Sequence, residues 1–275
     1  MVAATTPDER NIMIVAKPLA LVTGASSGIG QAFARRLASE GYDLVIVGRR
    51  RDRLEALAAE LSGVKVEPLM ADLATDVGVE QVAEVCVRET LTLLINNAGV
   101  AHYMPFIQLP IALASELLHV KVVAPTMLAR AAAPGMVARG HGAIINVSGM
   151  LAFSGPAPID KVPLRRAVYT ATLAHIVALS QTLSEELKPH GLRVQALCPG
   201  IVETEFHERQ GLNLSGVARM SADDVVKASL RGLALGEVVC APGVERSELL
   251  EAVFAADLAA FAAQAPKLAA RYNPP

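Results

Sequence analysis

Three cysteines in 275 residues, Cys86, Cys198 and Cys240, are too few and too scattered to staple a small fold or to build a zinc site. Each sits in an apolar run as a small core residue, which suits a reducing compartment, so a cytoplasmic protein is expected. Charge is also scarce. Only 19% of residues are charged and the net formal charge is −2, which excludes the basic footprint of a nucleic-acid binder. Residues 1–17 place Asp8, Glu9 and Arg10 early and lack the basic-then-apolar order of a secretory signal, so they read as an N-terminal extension. No uncharged run approaches the ~20 residues of a membrane span. No group of His, Cys, Asp and Glu has metal-ligand spacing, and no metal is expected.

What is abundant is apolar surface, at 52% of residues. That excess points to a pocket for a small-molecule substrate and to a contact between copies, a homodimer or homotetramer. The length suits one α/β domain.

The chain is organised around residues 19–30, Leu-Ala-Leu-Val-Thr-Gly-Ala-Ser-Ser-Gly-Ile-Gly, which read as a buried strand, a glycine turn and a helix start. Ile29, Ala32, Phe33 and Leu37 then fall on one helical face, and Gly41 supplies the stop. Gly24 permits the turn, while Gly28 and Gly30 let backbone approach a pyrophosphate at a helix N-terminus. Taken alone, such a loop is a weak signal, since a plain strand-to-helix turn can have it too.

A second strand, residues 44–47, runs into Gly48 and Arg49, Arg50, Arg51. At this strand end a carboxylate would meet the ribose of NAD and an arginine the 2′-phosphate of NADP, so Arg49 with Arg50 favours NADP. A solvated basic helix start is the alternative. Asp72 follows the third strand, residues 64–69, either facing an adenine or capping the next helix. Further apolar strands at 91–95, 143–148, 193–198 and 238–241 alternate with helical stretches at 110–138 and 166–188. Pro125 is expected to kink the first of those helices. Residues 201–220 read as a substrate lid, Ser221 as the cap of the helix after it, and residues 246–275 as a helical tail.

The glycine stretch, Asp72-Leu73, Asn96-Asn97-Ala98-Gly99, Tyr169 and Pro199-Gly200 together resemble the short-chain dehydrogenase/reductase family in its single-domain form, over residues 18–243. The resemblance implies a Rossmann-type, doubly wound α/β fold with a mostly parallel seven-stranded sheet. It also implies a nicotinamide cofactor lined by Gly24, Ser26, Ser27, Gly28, Ile29, Gly30, Asp72, Leu73, Asn97, Ala98, Gly99, Tyr169, Pro199, Gly200, Val202 and Thr204.

In that family a tyrosine exchanges the proton at the substrate oxygen, and a lysine one turn later lowers the phenol pKa by its charge. A serine steadies the carbonyl, and an asparagine completes a water relay. Here Tyr169 fits the tyrosine, but the lysine position is Leu173, the serine position Gly149 and the asparagine position Lys121. Two readings follow. Lys121 reaches across to act as the electrostatic partner of Tyr169, with Ser148 or Ser154 supplying the hydroxyl, in an NADP-dependent carbonyl/alcohol oxidoreductase. Alternatively, catalysis by this route is lost and the domain is an NADP-binding sensor, scaffold or subunit. His102, Tyr103, His207, Glu208 and, in an inserted segment, Lys161 are candidates for substrate contact.

Overall fold

The computed structural model describes residues 17–155, 165–214 and 216–273. The N-terminal extension up to residue 16 and the inserted segment with Lys161 lie outside the described residues. Seven strands alternate with helices: β1 (Leu19–Thr23), α1 (Gly28–Ser39), β2 (Asp43–Gly48), α2 (Arg51–Glu60), β3 (Val66–Met70), α3 (Asp76–Arg88), β4 (Leu91–Asn96), α4 (Ile111–Leu118), α5 (Ala124–Arg139) and β5 (Gly142–Val147). There follow α6 (Ala167–Leu187), β6 (Leu192–Leu197), α7 (Phe206–Arg209), α8 (Ala222–Leu235), β7 (Val239–Cys240) and α9 (Glu248–Ala262).

All strand pairs are parallel, in the order β3-β2-β1-β4-β5-β6-β7. Alternate side chains of each strand therefore feed two cores. Ala20 and Val22 of β1 join Phe33 and Leu37 of α1, Leu54 of α2 and Val225 of α8 on one face. Leu21 meets Val82 of α3 and Leu128 and Met136 of α5 on the other. Because β2 and β4 flank β1, the chain reverses direction across the sheet there, and a crevice opens beyond the C-terminal strand ends.

One expectation changes. The stretch 110–138 is broken by a π turn, His119–Val123, between α4 and α5, instead of by a kink at Pro125. Proline has no N–H to give the Lys121 carbonyl and its ring crowds that group, so the turn widens just before it. The widening turns Val120 and Lys121 inward. In addition, the helical run Ile111–Arg139 is, by length and composition, apolar enough to cross a membrane once a few charges are tolerated. In this fold α5 packs along α3 and strands β4 and β5.

The cap of α8 is as read: Ser221 Oγ accepts from the Asp224 N–H at 3.0 Å. In α9, Phe254 packs edge-on against Phe153, 6.2 Å between ring centroids, whereas Leu258 and Phe261 are exposed.

Candidate functional site

At the end of β1, Thr23 sews the glycine turn to the loop after β4. Its Oγ1 accepts from the N–H groups of Asn97 (2.9 Å) and Ala98 (3.0 Å) and donates to the Ile95 carbonyl (3.2 Å). The Asn97 side-chain amide donates in return to the Thr23 carbonyl at 2.9 Å. Gly24 adopts φ +67°, and a side chain on Gly30 would collide with the Asn97 amide and the Gly24 carbonyl. The turn thus presents bare backbone. Ser27, the N-cap of α1, makes no side-chain capping bond, so the first N–H groups of α1 are left for another acceptor. Bare backbone in front of free helix N–H groups fits a dinucleotide pyrophosphate.

A cavity of ≈ 860 Å³ continues from this turn. Every residue expected to line a cofactor borders it except Gly30, which lies beneath the turn. Asp72 is not the cap of α3: Thr75 is, accepting from the Gly78 N–H at 3.1 Å, and Asp72 stays in the cavity wall.

The arginines at one end of the cavity divide into two groups. Arg49 Nη1 lies 3.8 Å from Asp72 and 3.6 Å from Glu116, a cation between two carboxylates. Arg50 donates through Nη2 to Ser26 Oγ (2.9 Å) and Ser27 Oγ (2.8 Å), and through Nη1 to Glu205 (2.9 Å). Arg53 meets both Glu205 oxygens at 3.0 Å, and Arg209 pairs with the same carboxylate. Burial pushes the Glu205 pKa up, but hydrogen bonds from Ser27, Arg53 and Arg50 outweigh it and hold the carboxyl below its ordinary value. Arg53 and Glu205 were not picked out from the sequence. Arg53 carried a signal, three residues after Arg50 and hence on the same helical face, whereas Glu205 carried none.

At the other end stand Tyr169, Tyr103, Lys121, Ser148, Gly149 and Leu173, all bordering the same cavity. Lys121 is 5% exposed and its Nζ donates to the Val147 carbonyl at 3.1 Å. Burial pulls its pKa down to about 8, with Cys198 a minor opposing influence. Tyr169 is held well above the ordinary tyrosine value, by burial first and then by the neighbouring Tyr103 phenol.

The expected lowering of the phenol by Lys121 is therefore not what this geometry gives. The π turn brings the ammonium to the end of β5, where the Val147 carbonyl takes it. Ser148 Oγ is likewise occupied, donating to the Leu173 carbonyl at 2.9 Å. The Leu173 side chain packs beside Gly149, within 3.5 Å of where a Cβ would stand. Ser154 Oγ donates to the Leu151 carbonyl and accepts from Arg166.

Among the other candidates, His102 pairs with Glu116 at 2.9 Å and does not border the cavity, while Tyr103 and His207 do. His207 Nδ1 is buried with no hydrogen-bond partner among the described residues. His175 on α6 is half-buried against Thr126 Oγ1 at 3.1 Å. No group of three His, Cys, Asp or Glu able to hold a metal occurs among the described residues.

A doubly wound parallel sheet with a glycine-turn cradle at its switch point defines a Rossmann-type dinucleotide site. The profile of the short chain dehydrogenase family matches residues 18–214, and the chain belongs to the short-chain dehydrogenase/reductase family of oxidoreductases. It is 30% identical over 254 residues to the uncharacterized oxidoreductase YxjF of Bacillus subtilis, covering 90% of this chain and 91% of that one. Among solved structures, the short-chain dehydrogenase from Sphingobium yanoikuyae in complex with NADPH superposes with a TM-score of 0.87 at 36% identity, covering 93% of this chain and all of the other. The bulky-bulky ketone specific alcohol dehydrogenase from Comamonas testosteroni gives 0.83 at 31% identity, covering 94% and 99%.

Proposed function

We propose that this protein is an NADP-dependent oxidoreductase that interconverts a carbonyl and an alcohol on a small apolar molecule, with Tyr169 handling the proton. One observation carries the reading: a single cavity joins the glycine cradle to Tyr169. The likeness to an NADPH complex and to a ketone-specific dehydrogenase supports the cofactor and the substrate class. Gly24, Ser26, Ser27, Gly28, Ile29 and Asn97 to Gly99 would hold the pyrophosphate and nicotinamide halves, with Asp72 and Leu73 at the adenine side.

A bound NADPH supplies a hydride. The chain supplies the rest. Tyr169, kept protonated by burial and by Tyr103, delivers its proton to the substrate oxygen in carbonyl reduction and takes it back in alcohol oxidation. Lys121 places a cation in the cavity wall, and Ser148 fixes the start of the next loop against α6. Leu151, Leu173, Phe206, Leu212 and Leu214 make the wall apolar, with the His207 ring as its polar handle. The buried free thiols suit the cytoplasm. Exposed Phe106, Ile107, Ile111 and Met127 beside α4 and α5 suit a contact between copies.

The test is a panel of carbonyl compounds with NADPH and NADH, run on the wild type, Tyr169→Phe and Lys121→Met. NADPH-preferring turnover that Tyr169→Phe abolishes supports the proposal, and turnover indifferent to Tyr169→Phe overturns it. If Lys121→Met leaves turnover intact, Lys121 has no catalytic part. One observation favours a second reading, a nucleotide-binding protein without turnover: the ring packed against Tyr169 is another phenol, and the Lys121 ammonium is bound to the Val147 carbonyl. Tight NADPH binding with no substrate found across the panel would favour that reading.

A further inference from the structure

The lid is closed on itself. Val202 and Met220 form a parallel bridge, and the Glu203 N–H donates to the Met220 carbonyl at 2.8 Å while the Met220 N–H donates to Ile201 at 3.0 Å. Its two stems are therefore fixed to each other. What happens at Glu205, just inside one stem, bears on how the whole loop is attached to the domain. Glu205 reaches across the cavity mouth to Arg50 at the end of β2 and Arg53 on the first turn of α2.

Three guanidiniums, those of Arg50, Arg53 and Arg209, share this one carboxylate, and no second carboxylate joins them among the described ion pairs. Arg49, by contrast, lies between two carboxylates, Asp72 and Glu116, the second of which also meets His102. The cluster around Glu205 thus carries an excess of positive charge beside the nucleotide cradle, next to Ser26 and Ser27 of the turn. A carboxylate bridging two arginines presents two oxygens and one negative charge. A phosphomonoester presents three oxygens and nearly two charges, and matches the same fork of donors better.

We propose that Glu205 is an internal stand-in for the 2′-phosphate of the dinucleotide: the lid carboxylate and the phosphate compete for Arg50 and Arg53, so recognition of the phosphate is coupled to release of the lid. This rests on the nucleotide-binding reading above and adds to it a specificity-determining residue on the lid. It also moves the main phosphate contact from Arg49 to Arg50 and Arg53. The affinity for a phosphorylated nucleotide is then lower than the arginines alone would give, because each binding event must first break the Glu205 pairs.

The experiment measures binding alone, by calorimetry, with 2′,5′-ADP and 5′-AMP as probes that differ only in the 2′-phosphate. For Glu205→Gln the expected result is about three- to tenfold tighter 2′,5′-ADP binding with 5′-AMP unchanged, the size of one partly exposed ion pair. Arg53→Met in the same background should remove that gain, and Arg49→Met should leave it in place. Weaker 2′,5′-ADP binding by Glu205→Gln would mean that the carboxylate merely orients the arginines, and would overturn the inference. So would an equal shift for both probes, or a gain that survives Arg53→Met. Absence of binding by either probe in the wild type would instead remove the nucleotide-binding reading, and this inference with it.

Discussion

The rings of Tyr103 and Tyr169 meet edge to face, 5.5 Å between centroids. Tyr103 stands on the loop after β4, so a phenol from another part of the sheet edge adds to what burial does to the α6 tyrosine. Removing the Tyr103 hydroxyl takes away a neighbouring phenol whose ionisation opposes that of Tyr169. The Tyr169 pKa should fall. In Tyr103→Phe the basic limb of the pH profile for carbonyl reduction is expected to move to lower pH, whereas Tyr169→Phe should cost about 10²-fold or more in kcat. A pH profile on a responsive substrate checks both, and an unmoved limb in Tyr103→Phe would separate the two phenols.

Leu173 is 1% exposed and packs on Gly149, so two of the family's polar positions face each other here as an apolar contact. Placing an ammonium there, in Leu173→Lys, would put a cation on the helix of the phenol, one turn away. The Tyr169 pKa should then drop by a unit or more, and alcohol oxidation near neutral pH should rise about tenfold. The same substitution buries a charge, and the melting temperature should fall by several degrees. Rates in the two directions, measured alongside thermal unfolding, read both effects.

The order of elements and the position of the cradle were legible because both rest on local pattern. The apolar runs at residues 44–47 and 91–95 fit strands buried on both faces, and the glycines after Leu19 to Val22 fit a cradle at a strand end. The family resemblance named residues that border the cavity, Gly30 excepted. What was not legible depended on where a long side chain goes once the backbone is set. The position of Lys121 gave its helix but not the π turn that aims it at the Val147 carbonyl, since the turn arises from a proline four residues on. The Ser148 hydroxyl was expected in the site, yet an adjacent acceptor, the Leu173 carbonyl, claims it. Glu205 was invisible because its partners lie about 150 residues earlier in the chain.

Burial of Lys121 makes stability depend on pH in a direction opposite to that of an ordinary paired lysine. Its folded pKa is about 8, below the 10.5 of the free side chain, so between these values the unfolded chain binds more protons than the folded one. The penalty for burying the ammonium is full below pH 8 and fades as the pH climbs towards 10.5. Relative to Lys121→Met, which cannot titrate, the wild type should gain up to about 3 kcal/mol between pH 7.5 and 10.5. Urea unfolding of both proteins across that range measures the difference, in which the other titrating groups cancel. A gap that stays constant with pH would show that the ammonium is solvated.

Thr23 joins stability to nucleotide binding. It is buried, at 1% exposure, and its one hydroxyl satisfies two backbone N–H groups of the loop that carries Asn97 and Ala98, while donating to Ile95. Valine has the same shape but no acceptor. In Thr23→Val both N–H groups are stranded in the interior, at a cost of about 1–3 kcal/mol. The loop they belong to presses on the glycine turn, where the Asn97 amide meets the Thr23 carbonyl and Gly24 leaves room for nothing larger. A shift of a few tenths of an ångström there moves the bare backbone that faces the pyrophosphate. Thr23→Val should therefore weaken NADPH and NADH binding by a similar factor, about tenfold, in addition to lowering the urea midpoint. Glu205→Gln, by contrast, is expected to act on the phosphorylated nucleotide alone. Equal titrations of wild type and Thr23→Val with both nucleotides would show that the hydroxyl braces the fold without positioning the cradle.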